Sequence, residues 1–365
     1  AGARTELEAG DLTLVAGKAT VSLAASRVGS LLLEVSYANN RGRGGAVCDW
    51  PAIQPSADEP VDFDAFWASK IAELTAVPVN AQLERVEVDP EVDYWLITMD
   101  NIRGSKIYGQ LAMPKKRDGP LPAYLQVQWA GVYGLRHEWV AHQAKRGFLA
   151  LNIIAHDLPI NKDEAFYAEL KAGALKDYPA IGFDDREASY FLRMYLSCYR
   201  AANYLAMHPD WNGTTLQVAG GSQGGLQAVV TAALHPKVTV VTANVPAGCD
   251  HTGDDVGRLP GWPRLLARAT DANRAAVHST SAYFDVVNFA RRVQVPTLVG
   301  VGLVDMTCPP EGVIAMFNQL QGPKQLVIMP VAGHMNKHGS HKPYYSAMGG
   351  WNSAIAAGRD LPIRE

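Results

Sequence analysis

Six residues, Gly220-Gly221-Ser222-Gln223-Gly224-Gly225, sit between an apolar run at 216–219 and an apolar stretch that continues to about residue 234. The pattern G-x-S-x-G between a strand and a helix restricts the chain to a small set of folds. The serine must stand on a sharp turn that lifts its Oγ above the sheet edge. Gly220 and Gly224 lack a Cβ, which lets the incoming strand and outgoing helix approach closely. The Gln223 N–H then falls at a helix start, where unsatisfied amides can face an oxyanion. A phosphate-binding glycine turn is the rival, but the Walker lysine and the GxGxxG spacing are both missing.

The rest of the chain agrees with such a fold. Alternation at 83–88, 94–99 and 106–113 predicts antiparallel strands that open a sheet. Compact apolar runs at 123–128 and 148–154 flank a helical pattern at 138–145. A long helix is expected over 184–207, with Tyr190, Leu192, Tyr195, Leu196 and Tyr199 as a core-facing stripe. Further buried strands are expected at 238–245, 296–301 and 325–329. Strands alternating with helices predict a mostly parallel sheet with helices on both faces.

Two polar residues complete the chemistry. Asp305 follows the strand at 296–301, and His334 follows the strand at 325–329, within Val331-Ala332-Gly333-His334. Both lie where strand ends meet loops. The order serine, acid, histidine is that of α/β-hydrolases, so an α/β-hydrolase fold is expected with Ser222, Asp305 and His334 as its catalytic set. His338 and His341 follow closely and raise the thought of a metal cluster. No carboxylate or cysteine joins them, and they read as solvated residues. Asp250, His251, Asp254 and Asp255 form another polar group, read as a charged surface insertion. Metal ligands are therefore not assigned, and no cofactor is called for, because such a set supplies its own nucleophile and base.

Three segments are expected: a β-rich N-terminal extension (1–50), a linker with a first helix (51–80), and the catalytic domain (81–365). The extension shows strand-like runs at 12–15, 19–23 and 31–37. Its apolar positions Leu12, Leu14, Val21, Leu23, Leu32 and Val35 are expected to pack against the catalytic domain. Three prolines between 51 and 60 mark the linker, and Asp62 or Asp64 is placed to cap a helix bearing Phe66, Trp67 and Ile71.

Composition narrows the partners. The 365 residues carry a formal net charge of −3, so there is no basic field to hold nucleic acid. No apolar run reaches about 18 residues, the length that would suggest a membrane span. Cys48, Cys198, Cys249 and Cys308 form no CxxC pair and read as free, mostly buried thiols. An exported protein with its leader removed would start like this at Ala1, and so would a shortened chain, so a periplasmic or extracellular location is an expectation from context alone.

Taken together, Gly221-Ser222-Gln223-Gly224-Gly225, Gly302-Leu303-Val304-Asp305-Met306-Thr307-Cys308-Pro309-Pro310 and Asp62-Phe63-Asp64-Ala65-Phe66-Trp67 resemble the acetyl xylan esterase and cephalosporin C deacetylase family. The resemblance covers about residues 60–355. It implies a serine carboxylester hydrolase that removes acetyl groups from carbohydrate, with an acetylated saccharide or small acetyl ester as partner and homo-oligomer formation left open. It also implies a second oxyanion donor in the turn Trp129-Ala130-Gly131-Val132-Tyr133-Gly134, where the matching N–H is that of Val132. Gln223 would be the first donor. Trp129, Tyr133 and Pro246 would wall the substrate pocket. The family's Arg-Gly-Gln motif is replaced here by Ile154-Ala155-His156-Asp157. Two other readings share the order of the set. A prolyl-oligopeptidase type of peptidase would need a β-propeller, which fifty residues cannot supply. Another carboxylester hydrolase, such as a glucuronoyl esterase, would need a cationic clamp that no single Arg announces. A non-catalytic relic is disfavoured by the intact Ser222, Asp305 and His334.

Overall fold

In the computed structural model, which describes residues 7–364 apart from 23, 25 and 26, the chain opens with a hairpin, β1 (Gly29–Tyr37) and β2 (Asn40–Cys48). Helix α1 (Phe63–Thr75) follows, then β3 (Gln82–Arg85), β4 (Val92–Asp100), β5 (Lys106–Pro114), β6 (Leu121–Val127), α2 (Glu138–Lys145) and β7 (Leu149–Ile153). Helices α3 (Glu164–Ala172) and α4 (Tyr190–Ala206) lead to β8 (Trp211–Gly221), α5 (Gln223–Leu234) and β9 (Val240–Asn244). The chain closes with α6 (Arg274–Phe284), α7 (Val286–Ala290), β10 (Thr297–Gly302), α8 (Pro310–Gln319), β11 (Lys324–Met329) and α9 (Lys342–Ala356).

Nine of these strands form one sheet in the order β11-β10-β9-β8-β6-β7-β5-β4-β3. Five pairings are parallel and three, around β3, β4 and β5, are antiparallel. The expected mostly parallel α/β sheet is present. Side chains on β6 alternate between its faces. Ala123, Leu125 and Val127 join the large core with α1, α4, α5, α7 and α8, while Tyr124 joins Phe148, Tyr344 and Trp351 on the face covered by α9. Helix α2 covers the same face farther along, through Val140 and Ala144 against Tyr94 and Ala112. From β6 the chain passes to β7 on one side and then returns to β8 on the other. The strand order thus reverses between β6 and β8, and the carboxyl ends of strands at such a reversal are where open α/β sheets bind ligands.

Several local expectations change. Helix α4 begins at Tyr190, because residues 185–189 close turns instead, with Ser189 N–H donating to the Asp185 carbonyl. Asp62 precedes α1 but does not cap it through its side chain. Its carboxylate is taken by Arg186 and by the Tyr283 hydroxyl, and Asp64 is taken by Arg292. Phe63, Phe66 and Trp67 pack into the large core against Phe289, Tyr283 and Tyr195, so α1 belongs to that core.

The N-terminal segment is only partly as expected. Residues 12–15 and the described residues 19–22 are not strands; a single bridge joins Val15 and Lys18. Leu12, Leu14, Val21 and Val35 are exposed and Leu32 is half-buried, while Leu23 lies outside the described residues. Among the described residues the alternation there meets no partner strand, and the hairpin docks at its root. Gly45 N–H donates to the Pro330 carbonyl at 2.8 Å, and Ser30 N–H to Glu311 Oε1 at 2.7 Å. All four cysteines are free, three of them buried.

Burial also sets an acid sensitivity. Burial pushes His156, His235 and His251 down to about 4. Each is neutral in the folded protein while the unfolded chain, near the ordinary 6.5, takes up a proton. Their contribution to stability is therefore complete above about pH 6.5 and is lost as pH falls toward 4. Asp285 opposes them: burial, with help from the Asp250 charge, raises it to about 7, so it favours the folded state as pH falls. Three histidines outweigh one carboxyl. The urea midpoint is expected to fall steadily from about pH 7 to about pH 5; a midpoint that stays level or rises would contradict this assignment.

Candidate active site

The site assembles at the carboxyl ends of the parallel strands. Ser222 follows β8 and begins α5 with φ 54° and ψ −122°. That left-handed φ costs a non-glycine residue about 1–3 kcal/mol, so its surroundings must hold it. Ser222 N–H donates to the Asn244 carbonyl at 2.9 Å, and the Ser222 carbonyl accepts from Leu226 N–H and Ala247 N–H at 3.1 and 3.0 Å. Glycine is required on both sides. A Cβ on Gly220 would lie 2.4 Å from the Gly224 backbone, and one on Gly224 would lie 2.6 Å from the Val127 carbonyl oxygen.

Asp305 and His334 arrive on loops that are tied together. Val304 N–H donates to the Ala332 carbonyl at 3.1 Å, and Leu303 N–H to that of Met329 at 3.1 Å. Asp305 is fully buried. Its Oδ1 accepts from Thr307 N–H at 2.7 Å and Cys308 N–H at 2.9 Å, and its Oδ2 lies 2.8 Å from His334 Nδ1. His334 Nε2 lies 2.9 Å from Ser222 Oγ. A carboxylate only accepts, so Nδ1 carries the proton and Nε2 is free to accept from the serine hydroxyl. The three residues expected from the sequence therefore form one hydrogen-bonded row. Such a row can remove the serine proton, hold the resulting imidazolium beside a carboxylate, and return the proton to a leaving group.

Val132 sits in the loop after β6, the strand that pairs with β8 in the sheet. The N–H groups of Val132 and Gln223 donate to no protein acceptor among the described residues. Unpaired amides beside a nucleophile can stabilise an oxyanion. Trp129 is exposed, stacks on Tyr133 with ring centroids 5.5 Å apart, and lies 5.0 Å from the ring of Trp139. Pro246 is buried against Gly225 of α5.

His338 is exposed, as expected, but His341 is buried. His341 Nε2 lies 2.8 Å from the Gly333 carbonyl, and its Nδ1 lies 3.0 Å from Asn244 Nδ2. It thus links the histidine loop to the strand end that holds Ser222. Asp250 and His251 are not a surface insertion either. Both are buried, and Asp250 accepts from Ser56 N–H and Ser56 Oγ–H at 2.7 and 2.6 Å while pairing with Arg258 at 3.0 Å. Asp250 thereby pins the proline-rich crossing segment, a contact between residues far apart in sequence that no local pattern reports. Asp305, Cys308 and His334 bring possible metal-ligand atoms within 4.8 Å of one another, but both ring nitrogens of His334 already face the protein partners above.

A mostly parallel sheet whose central strand ends in a strained serine turn, with an acid and a histidine on later strand ends, is an α/β-hydrolase architecture. The chain belongs to the acetyl xylan esterase (AXE1) family, whose profile matches residues 51–346. It is 36% identical over 287 residues to the acetyl esterase Axe7A of Xylanibacter ruminicola, a match spanning 77% of this chain and 65% of that protein. Its fold is similar to that of an acetyl xylan esterase from Paenibacillus sp. R4, with a TM-score of 0.73 and 25% identity over 84% of this chain and 98% of the other. Acetyl xylan esterase 1 from Thermoanaerobacterium shares the fold at a TM-score of 0.73, with 22% identity over 84% of this chain and 97% of the other.

Proposed function

We propose that this protein is a serine carboxylester hydrolase that removes acetyl groups from carbohydrate through an acyl-enzyme. The observation that carries the reading is the Ser222–His334–Asp305 hydrogen-bonded row. Ser222 Oγ attacks the ester carbonyl as His334 Nε2 takes its proton. Asp305 keeps the ring in the required tautomer and stabilises the imidazolium. The carbonyl oxygen becomes an oxyanion received by the N–H groups of Val132 and Gln223. As the acyl C–O bond breaks, His334 protonates the departing sugar oxygen, releasing the sugar hydroxyl and leaving an acetyl ester on Ser222. Water attacks that ester with His334 again as base, releasing acetate and restoring the serine.

Acetyl as the acyl group, and a sugar hydroxyl as the leaving group, are supported by the family and by Trp129, Tyr133 and Pro246 as bulky pocket-wall candidates. Turnover is accordingly expected to fall steeply from acetyl to butyryl and longer esters of one alcohol. Measuring kcat/KM along that series tests the reading. A preference for long acyl chains would contradict it. Acetylated xylo-oligosaccharides assayed beside a simple acetyl ester test the carbohydrate half; equal efficiency on both would leave no role for the sugar.

A further inference from the structure

The loop carrying Val132 is held from beneath by a buried histidine outside the Ser222–His334–Asp305 row. His156 Nε2 lies 3.0 Å from the Gly131 carbonyl oxygen, and its Nδ1 lies 2.6 Å from Tyr190 Oη. A carbonyl can only accept, so Nε2 carries the proton and Nδ1 accepts from the tyrosine hydroxyl. We propose that His156 is a positioning residue for the reaction, aiming the Val132 N–H at the oxyanion by holding the carbonyl of the same peptide group. The proposal rests on the esterase reading above.

In a trans peptide the C=O and N–H point in opposite directions across one plane. Fixing the Gly131 oxygen on His156 therefore fixes the direction of the Val132 N–H, which points to the opposite side of the peptide. Gly131 makes such a clamp necessary. Its φ is +127°, a conformation that side chains rarely adopt, and a Cβ there would lie 3.1 Å from the Tyr133 ring. A glycine at this place lets the loop turn but resists peptide rotation poorly, so outside contacts must set the plane. Neighbouring contacts hold the loop as well. Gln128 Nε2 donates to the Tyr133 carbonyl at 3.0 Å, and Gln128 Oε1 accepts from Ala155 N–H at 2.8 Å. Tyr178 Oη accepts a long hydrogen bond from Gly131 N–H, 3.4 Å, and donates to Gln223 Oε1. The Tyr178 ring also meets the edge of the His156 ring at 4.8 Å. One buried cluster therefore touches Gln223 and the peptide group that carries the Val132 N–H.

The environment suits a fixed donor. His156 is fully buried, and that burial holds it down to about 4, so the ring stays neutral with one donor and one acceptor across the neutral range.

A histidine that served only stability would lower the amount of folded enzyme and leave the turnover of each folded site unchanged. The test compares His156→Asn with His156→Gln on a small acetyl ester, with active sites counted by phosphonate labelling taken to completion. The glutamine amide reaches the place of Nε2 and can still donate to Gly131, while asparagine is too short. Losing an oxyanion donor outright costs about 10²–10³ in kcat, so kcat per site in His156→Asn is expected to fall about 10- to 100-fold, with KM within about twofold. His156→Gln is expected to remain within about fivefold of the unmodified enzyme. Wild-type kcat per site in His156→Asn, or equal losses in both variants, would overturn the positioning role. Failure of the unmodified protein to cleave the ester would instead overturn the esterase reading on which the proposal stands.

Discussion

Replacing Ser222 by alanine is expected to lower kcat on acetyl esters by about a million-fold while leaving the fold intact. The chemical half of this expectation follows from the hydrogen-bonded row, since His334 Nε2 would then have no hydroxyl to deprotonate. The structural half follows from what Ser222 does with its remaining atoms. Its backbone makes the turn, through the Asn244, Leu226 and Ala247 hydrogen bonds, and alanine keeps all of them. Its side-chain oxygen faces His334, a partly exposed ring that water can satisfy in its place. Alanine accepts the φ of 54° no better and no worse than serine. Thermal melts of the two proteins should therefore superimpose. Any residual rate over water would come from the Val132 and Gln223 amides and from binding. Near-wild-type turnover in the alanine variant would remove Ser222 from the mechanism.

Replacing His334 by alanine is expected to be nearly as damaging, and the neighbouring histidines separate cleanly from it. His338 is exposed, so His338→Ala should leave both kcat and stability close to wild type. His341 forms a third case. Its loss would strand the Gly333 carbonyl and the Asn244 amide in a buried place, at a cost on the order of 1–3 kcal/mol. The Gly333 carbonyl belongs to the same peptide group as the His334 N–H, so looseness there would reach the catalytic ring. His341→Ala should therefore show a lowered denaturation midpoint and a partial loss of kcat, well short of that in His334→Ala. Parallel kcat and urea measurements on the three variants check this order. An inactive His338→Ala beside an active His334→Ala would reverse it.

The contrast between His338 and His341 shows where sequence reasoning reached and where it stopped. The strand-turn-helix around Ser222 was legible because glycine spacing and apolar runs are local signals, and the parallel strands were legible because each is a compact apolar run. The alternation at 12–15 and 19–23 carried the same kind of signal, yet strands need a partner and the described residues there have none beyond one bridge. Burial of His341, Asp250 and His251 depends on partners far away in sequence, such as Asn244 and Ser56. No periodicity encodes those meetings. His156 was visible only as a departure from a familiar motif. Its contact with Gly131 required the loop after β6 and the end of β7 to be seen side by side.

The central claim is that an acetyl group resides on Ser222 during turnover. Acid quenching of the unmodified enzyme within the first turnovers of an activated acetyl ester, followed by peptide mass mapping, tests it most directly. The account predicts that the peptide containing Ser222 gains the mass of one acetyl group, that the gain fades as substrate is exhausted, and that Ser222→Ala never shows it. Acetate release at full rate with that peptide unmodified throughout, or acetylation that settles on another residue, would contradict it.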